Sequence, residues 1–426
     1  MQDSAAPELP LGEGASTAAA ALPHLETHKC HVLHPVRGVV GVFVCGLVAF
    51  LTLYATQPLL PLLESLFHAS KAAVGWTVSA ATLGVAIAAP ILGALTERGN
   101  RKRVILISIL LLAVPRGLAA TSTTLHWLIF WRLLQGLLTP GVFVTTIAYI
   151  TENWPPMAVA PVMSLYVSGT ALGGFLGRLI TGLIAQHAGW RLSFVVLSII
   201  SLAGAALVAW LLPDRPRHQG EAAPRSWRQV LLPMLSHFGR PRLVATYFVG
   251  FNVLFSLVGV FTYITYYLAA PPFLLSIAQL SLLFVVYLVG LAATPLAGAL
   301  LPRIGLRAGI TGSLLLALAG VLLTLAHGLW IVVAGLALCC TGVFISQSCA
   351  TSYLREAAPK DSRSSAVGMY VACYYIGGTV AGVAPSLVWH LGGWTACVVM
   401  VASVDLVSIV VARRAWQPVP VCMAQD

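Results

Sequence analysis

The chain has 426 residues, 58% of them hydrophobic and only 9% charged, with a formal net charge of +11. A soluble protein carries about 25% charged residues, and surface scaling would force much of this apolar material to face water. Such proportions describe a polytopic membrane protein and exclude soluble enzymes, nucleic-acid-binding domains and secreted disulfide scaffolds.

In chain order, residues 1–37 are Ala-, Pro- and His-rich without a sustained period, which predicts a disordered cytoplasmic tail. They do not read as a secretory leader: Asp3, Glu8 and Glu13 precede the first base, Lys29, and Ala18–Leu22 is too short an apolar core. A bilayer core about 30 Å thick takes roughly 20 apolar residues per helix. That ruler gives six spans at about 39–61, 74–95, 104–123, 126–150, 160–186 and 192–212, forming a first bundle over 38–212. A polar stretch, 213–242, carries Arg215, Arg217, Arg225, Arg228, Arg240 and Arg242 and reads as a cytoplasmic linker. Six more spans follow at about 243–268, 278–300, 307–327, 329–350, 364–388 and 393–412, a second bundle over 243–412, with a cytoplasmic tail at 413–426.

Orientation follows from the bases. With both termini inside, nineteen of the twenty-four Lys and Arg residues fall on the cytoplasmic side; Lys71 and Arg191 fall outside, and Arg116, Arg132 and Arg178 lie within spans. The eight cysteines contain no CxxC pair and read as buried free thiols.

The halves repeat at a shift of about 204 residues. Tyr166-Val167 recurs as Tyr370-Val371, Gly173-Gly174 as Gly377-Gly378, Gly189-Trp190 as Gly393-Trp394, and Tyr149 with Glu152 as Tyr353 with Glu356. Two homologous bundles side by side are an alternating-access architecture.

Four motifs resemble one family. The loop after span 2, Gly93-Ala94-Leu95-Thr96-Glu97-Arg98-Gly99-Asn100-Arg101-Lys102-Arg103, is similar to the G-x-L-[small]-D-R-x-G-R-[KR] loop of the major facilitator superfamily, with Glu97 for Asp and Asn100 for Gly. Arg132-Leu133-Leu134-Gln135-Gly136 in span 4 resembles the R-x-x-Q-G motif of its proton-coupled members. Span 5, from Gly169 to Arg178, is similar to the antiporter motif G-x-x-x-G-P-x-x-G-G, with Gly174 for Pro and Arg178 for the last Gly. Tyr54 to Pro61 resembles the double-proline exit of twelve-span drug:proton antiporters. The resemblance covers about residues 38–412 and implies an all-α membrane protein of twelve helices in two pseudo-symmetric six-helix bundles.

It also implies site roles. Gly93, Glu97, Arg98, Arg101 and Lys102 form a gating loop whose acid meets the N-terminus of span 11. Gly169, Gly173, Gly174 and Gly177 present a glycine face for close approach of the two bundles. Arg132 and Gln135 are the proton-coupling candidates. Arg132, Gln135, Thr139, Thr146 and Tyr149 share one polar helix face. An intramembrane arginine costs ~2.5–3.5 kcal/mol at mid-membrane, so each marks function by default. Arg178, Thr139, Tyr149, Asn252, Ser256, Tyr263, Gln347, Tyr370 and Tyr374 are the cavity and substrate candidates. Arg116, after Pro115, is expected to snorkel or fill a kink. Asp405, the only acid within any span, is expected to be a satisfied structural acid, and Glu152 and Glu356 to make helix-end contacts with cytoplasmic arginines.

The expected activity is secondary transport: a proton-coupled antiporter exporting a small neutral or anionic molecule, with an uptake symporter for an anionic metabolite as the alternative. The expected setting is a bacterial inner membrane. The partners are lipid, a small-molecule substrate and protons, and the chain is expected to be monomeric. No cofactor, metal or nucleic acid is expected. A membrane-embedded transferase needs clustered carboxylates or a buried His, which the spans do not supply.

Overall fold

The computed structural model describes residues 35–95, 100–214, 234, 236–359 and 363–416. These residues are helical throughout apart from turns and short connections. The helices are α1 (Pro35–Phe50), α2 (Leu60–Phe67), α3 (Lys71–Leu95), α4 (Arg101–Ala119), α5 (Leu125–Asn153), α6 (Pro156–Ala188) and α7 (Trp190–Leu211). The second half adds α8 (Pro241–Ala269), α9 (Ile277–Leu282), α10 (Val286–Ile304), α11 (Leu306–Leu323), α12 (Leu329–Ala357) and α13 (Arg363–Ala415). Both bundles lie within one unit, Val36–Asp426.

Nine described runs are long and apolar enough to cross a membrane. One of them, Ser365–Ala415, is two spans in tandem, because the backbone leaves the helical region at Gly392 and Gly393. The remaining two spans are α4, whose apolar average is lowered by Arg101, Lys102, Arg103 and Arg116, and the broken pair α1–α2. Together they make the twelve expected spans.

The chain turns where local chemistry dictates. Gly189 (φ 84°) ends α6 and Gly393 (φ 58°) parts the arms of α13; both occupy the left-handed region that suits glycine. They are repeat-related, each preceding a buried tryptophan, Trp190 or Trp394. Asn100, the departure from the family loop, caps α4: its side-chain oxygen accepts from the Arg103 N–H at 3.3 Å, and its amide also donates to Asp214. Proline opens α6 and α8, where the missing N–H costs nothing.

One expected element is corrected. The sequence predicts a continuous span 1 over 39–61, but α1 stops at Phe50. Residues 51–56 turn through three-residue hydrogen bonds such as Ala55 N–H to Thr52 O (3.2 Å), and a 3-10 turn, Gln57–Leu59, leads into α2. Pro58 and Pro61 withhold two ladder donors. Lipid offers no replacement for lost backbone partners, so this break needs partners from elsewhere in the protein.

Candidate functional site

Arg116 and Arg132 supply those partners to backbone carbonyls, and Arg178 holds the Gln57 side chain within the break. Arg116 on α4 donates to the Val48 carbonyl (2.8 Å) and to Ser201 on α7. Arg132 on α5 donates through Nη1 to Thr52 O (2.6 Å), through Nη2 to Leu53 O, and through Nε to Thr77 O (2.9 Å). Arg178 on α6 donates through Nε to Gln57 Oε1 (2.7 Å) and through Nη1 to Gly174 O (2.7 Å). Three neighbouring helices thus each send one guanidinium to successive turns of the first span. The planar fork with five donors suits this task, since it satisfies carbonyls in several directions at once. None of the three meets a carboxylate among the described residues; carbonyl, amide and hydroxyl dipoles, with aromatic rings at Arg178, balance the charge. Arg116 and Arg132 have no exposed surface and Arg178 only 2%. Snorkelling is therefore corrected for Arg116, which points into the bundle.

Gln135 is held by the same cluster. Its Oε1 accepts from Arg132 Nη1 at 2.7 Å and its Nε2 donates to the Pro115 carbonyl at 3.1 Å, which fixes the amide between α5 and α4. The spacing Arg132-x-x-Gln135 puts both on one helix face. Further along the expected polar stripe, Thr139 Oγ1 turns back to Gln135 O (2.7 Å), and Tyr149 reaches Pro213 O (3.2 Å) beyond α7. Thr139 thus bonds within its own helix, and Tyr149 bonds to the segment that follows α7.

Arg178 sits at the seam. Tyr54 from the first bundle and Phe284 and Tyr287 from the second place their rings 4.7 Å from its guanidinium carbon. Cation–π contacts strengthen when desolvated, to ~2 kcal/mol or more. Its partner Gln57 donates through Nε2 to Thr262 Oγ1 on α8 (3.0 Å), so a hydrogen-bonded chain runs from α6 through the broken span to the second bundle.

The seam closes on the side that carries the α2–α3 turn. Ser79 Oγ donates to Thr379 O (2.6 Å) and the Thr82 and Thr379 hydroxyls lie 3.1 Å apart across it, while within the second bundle Tyr263 donates to Gly382 O (2.9 Å), the carbonyl that faces Gly75. A Cβ on Gly75 would stand 2.0 Å from the Gly382 carbonyl oxygen. At the rim, Lys71 pairs with Glu64 (2.6 Å) and lies 4.8 and 5.6 Å from the rings of Tyr266 and Trp389. The spacings Gly75-x3-Ser79 and Gly378-x3-Gly382 are small-residue motifs and are the sequence signal for this seal, although neither belongs to the family motifs quoted above.

The glycine face of α6 packs elsewhere than expected. Added Cβ atoms on Gly169, Gly173 and Gly177 would strike the carbonyls of Phe43, Leu47 and Leu51. The face therefore lies against α1 within the first bundle. The repeat reproduces it, with Gly377 against Phe251 O just as Gly173 lies against Leu47 O. Gly174 meets only the Arg178 side chain, and the glycine that faces the other bundle is Gly182, against Ser281 and Ile277.

In the second bundle, Asn252 Nδ2 and Ser256 Oγ donate to Asp405 Oδ1 at 2.8 and 3.0 Å, so these two cavity candidates turn toward α13. Asp405 is fully buried, yet its Oδ2 has no partner, which corrects the expectation of a satisfied acid. Tyr370 donates to Gln347 Oε1 (3.3 Å) and stacks on Tyr374. An aromatic run continues through Tyr375 and Phe143 to Phe50, crossing between bundles at Tyr375–Phe143. Of the nine cavity candidates, only Gln347 and Tyr374 keep intermediate exposure.

In the gating loop, Glu97 and Arg98 fall outside the described residues, as does most of the linker. Arg101 chelates Glu152, with Nη2 to Oε1 at 2.7 Å, joining α4 to the end of α5, while Glu356 is exposed. Outside the spans, His237 Nε2 contacts Ser365 Oγ at 2.7 Å; burial first, and Arg240 second, hold its imidazole below the usual range. The described cysteines are all free, and no metal-binding cluster occurs among the described residues.

Comparison with known proteins matches a family model described as Major Facilitator Superfamily over residues 42–271 and 257–421. The chain is 31% identical over 383 residues to the inner membrane transport protein YnfM of Escherichia coli (strain K12), covering 89% of this chain and 90% of that protein. It is 29% identical over 369 residues to the MFS-type transporter YybF of Bacillus subtilis (strain 168), covering 86% and 90% respectively. Among solved structures, a bacterial homologue of the human lysosomal transporter Spinster, inward-facing and occupied, superposes with a TM-score of 0.70 at 15% identity, over 89% of this chain and 96% of that one.

Proposed function

Because the chain belongs to the major facilitator superfamily and is therefore a multi-pass secondary transporter rather than an enzyme, we propose that it is a proton-coupled antiporter that exports a small neutral or anionic organic molecule by alternating access. The observation that carries this reading is the convergence of three buried, acid-free guanidiniums on the broken first span. A fixed positive interior attracts anions and repels organic cations. With nineteen bases on the side of the termini, the sealed face is the outer one, and the partly exposed Gln347, Tyr374 and Phe50 lie on the approach from the cytoplasm. Arg178 and its rings, together with Gln57 and Thr262, form the contact that must part when the seal opens.

Arg132 and Gln135 act in coupling by holding the break of span 1. An arginine stays charged throughout, so its contribution is positional: it ties α5 to the carbonyls of Thr52, Leu53 and Thr77. An uptake symporter for an anionic metabolite uses the same charges, and Gly174 in place of the antiporter proline removes the feature most tied to export. Reconstituted vesicles separate the two, because an imposed proton gradient drives counterflow in an antiporter and co-flow in a symporter. A substrate screen in an efflux-deficient bacterium supplies the solute. Arg132→Ala is expected to abolish proton-driven flux at unchanged expression. Preferred export of a permanent dication, or full coupling in Arg132→Ala, rejects the proposal.

A further inference from the structure

We infer that Asp405, with Asn252 and Ser256, is the site where the transported proton binds. The inference rests on the proton-coupled reading above and supplies what that reading lacks, a group that exchanges a proton at membrane depth.

Arginine does not exchange protons under physiological conditions, and Asp405 is the one carboxylate within the spans. It is fully buried on the second arm of α13. The groups that face it are neutral: Asn252 and Ser256 from α8, and the Cys339 thiol from α12. The nearest charged residues on the flanking helices are at their ends, where Arg307 of α11 donates to the Arg413 carbonyl of α13. A buried carboxyl without a cation takes its counter-charge as a proton, since an isolated ion in such a site is costly.

The hydrogen bonds fit both forms of the acid. Ser256 Oγ has a single proton and two acceptors at the same 3.0 Å, Asp405 Oδ1 and Asn252 Oδ1. With the carboxylate empty, Ser256 and Asn252 both donate to Oδ1. With the proton bound, Oδ1 needs fewer donors and the Ser256 hydroxyl turns to Asn252 Oδ1. Asp405 Oδ2 is buried without a partner and is the oxygen left to carry the proton; Ser408 Oγ, one turn further on, is also buried and unpaired. A permanently neutral structural acid has no use for a hydroxyl poised between two acceptors.

The site is also placed to act on the seal. Six residues beyond Ser256, about 9 Å along α8, Thr262 accepts from Gln57. The next residue, Tyr263, holds Gly382. Loading and unloading Asp405 thus changes the bonding of the helix that joins the outer seam to the broken span.

The test uses the purified full chain in lipid and the proton itself as probe. Infrared difference spectra across pH are expected to show a protonated-carboxyl band that vanishes on alkalinisation and is absent in Asp405→Asn. Ser256→Ala removes one donor to the carboxylate and is expected to move the midpoint of that band toward alkaline pH by roughly one unit or more. Maleimide labelling of a cysteine at Thr379, in the seal, is expected to vary with pH in the otherwise unaltered chain and to be flat in Asp405→Asn. An unchanged band in Asp405→Asn, a band that never titrates, or one displaced by sodium rather than by pH overturns the assignment. Labelling that stays pH-dependent in Asp405→Asn overturns Asp405 but leaves proton coupling standing. A titrating band without any response of the seal overturns proton coupling itself.

Discussion

Gly75→Ala tests the seal by the smallest possible change. The new methyl would lie 2.0 Å from the Gly382 carbonyl oxygen and 3.1 Å from its carbon, where ordinary contact starts near 3.4 Å, so α3 and α13 must separate by about 1 Å or more. Backbone cannot swing aside as a side chain does, and overpacking of this kind costs ~1–3 kcal/mol. The cost falls only on the state in which these helices touch. Converted to populations, it shifts the balance toward the form in which this seam is open by roughly 5- to 150-fold. The adjoining bonds from Ser79 and Thr82 to Thr379 weaken with it. Spin labels at the Lys71 end of α3 and beside the Gly392–Gly393 break of α13, measured by double electron–electron resonance, are expected to show the longer distance dominating in Gly75→Ala. Gly312→Ala is the control, since its Cβ meets nothing within 4 Å and alanine favours a helix by up to ~1 kcal/mol. An unchanged distance distribution in Gly75→Ala refutes the view that this contact limits opening.

Lys71→Met keeps the side-chain stem but removes the charge that holds Glu64, Tyr266 and Trp389 together; a partly buried pair with two ring contacts predicts a roughly tenfold shift toward the form in which this seam is open, read in the same distances. His237 is favoured neutral in the fold by burial and by Arg240. The unfolded chain therefore takes up a proton first as pH drops through about 6.5, and thermal stability in detergent falls below that pH until the folded ring titrates. His237→Gln is expected to flatten that acid-side decline; a slope equal to that of the unaltered chain excludes His237 as its cause.

The twelve spans were legible because each is a run of apolar residues long enough for a bilayer, a property carried by the local sequence alone. The two tandem spans in α13 were separable for the same reason, with Gly393-Trp394 repeating Gly189-Trp190. The break in the first span was not legible as a break. Pro58 and Pro61 announce a bend, but the unwound stretch begins at Leu51, set by arginines 68 to 121 residues away in sequence. In the same way, Asn252 and Ser256 are legible as cavity candidates, whereas the partner of both lies about 150 residues downstream at Asp405, 153 from Asn252. Helical periodicity reports that a face is special without reporting what it meets. The glycine face of α6 makes the point most directly: its spacing was plain, and only packing shows that it serves α1.

The broken first span has a consequence for how the chain is made. Its carbonyls at Val48, Thr52 and Leu53 are satisfied by Arg116 and Arg132, and its Gln57 side chain by Arg178, three residues that belong to α4, α5 and α6. During synthesis those helices emerge only after α1 and α2 have met the bilayer, where unpaired carbonyls have no other donor. The newly inserted segment must therefore wait in a different conformation, and it kinks as each later helix delivers its guanidinium, so that biogenesis of the first bundle proceeds by remodelling its oldest element last.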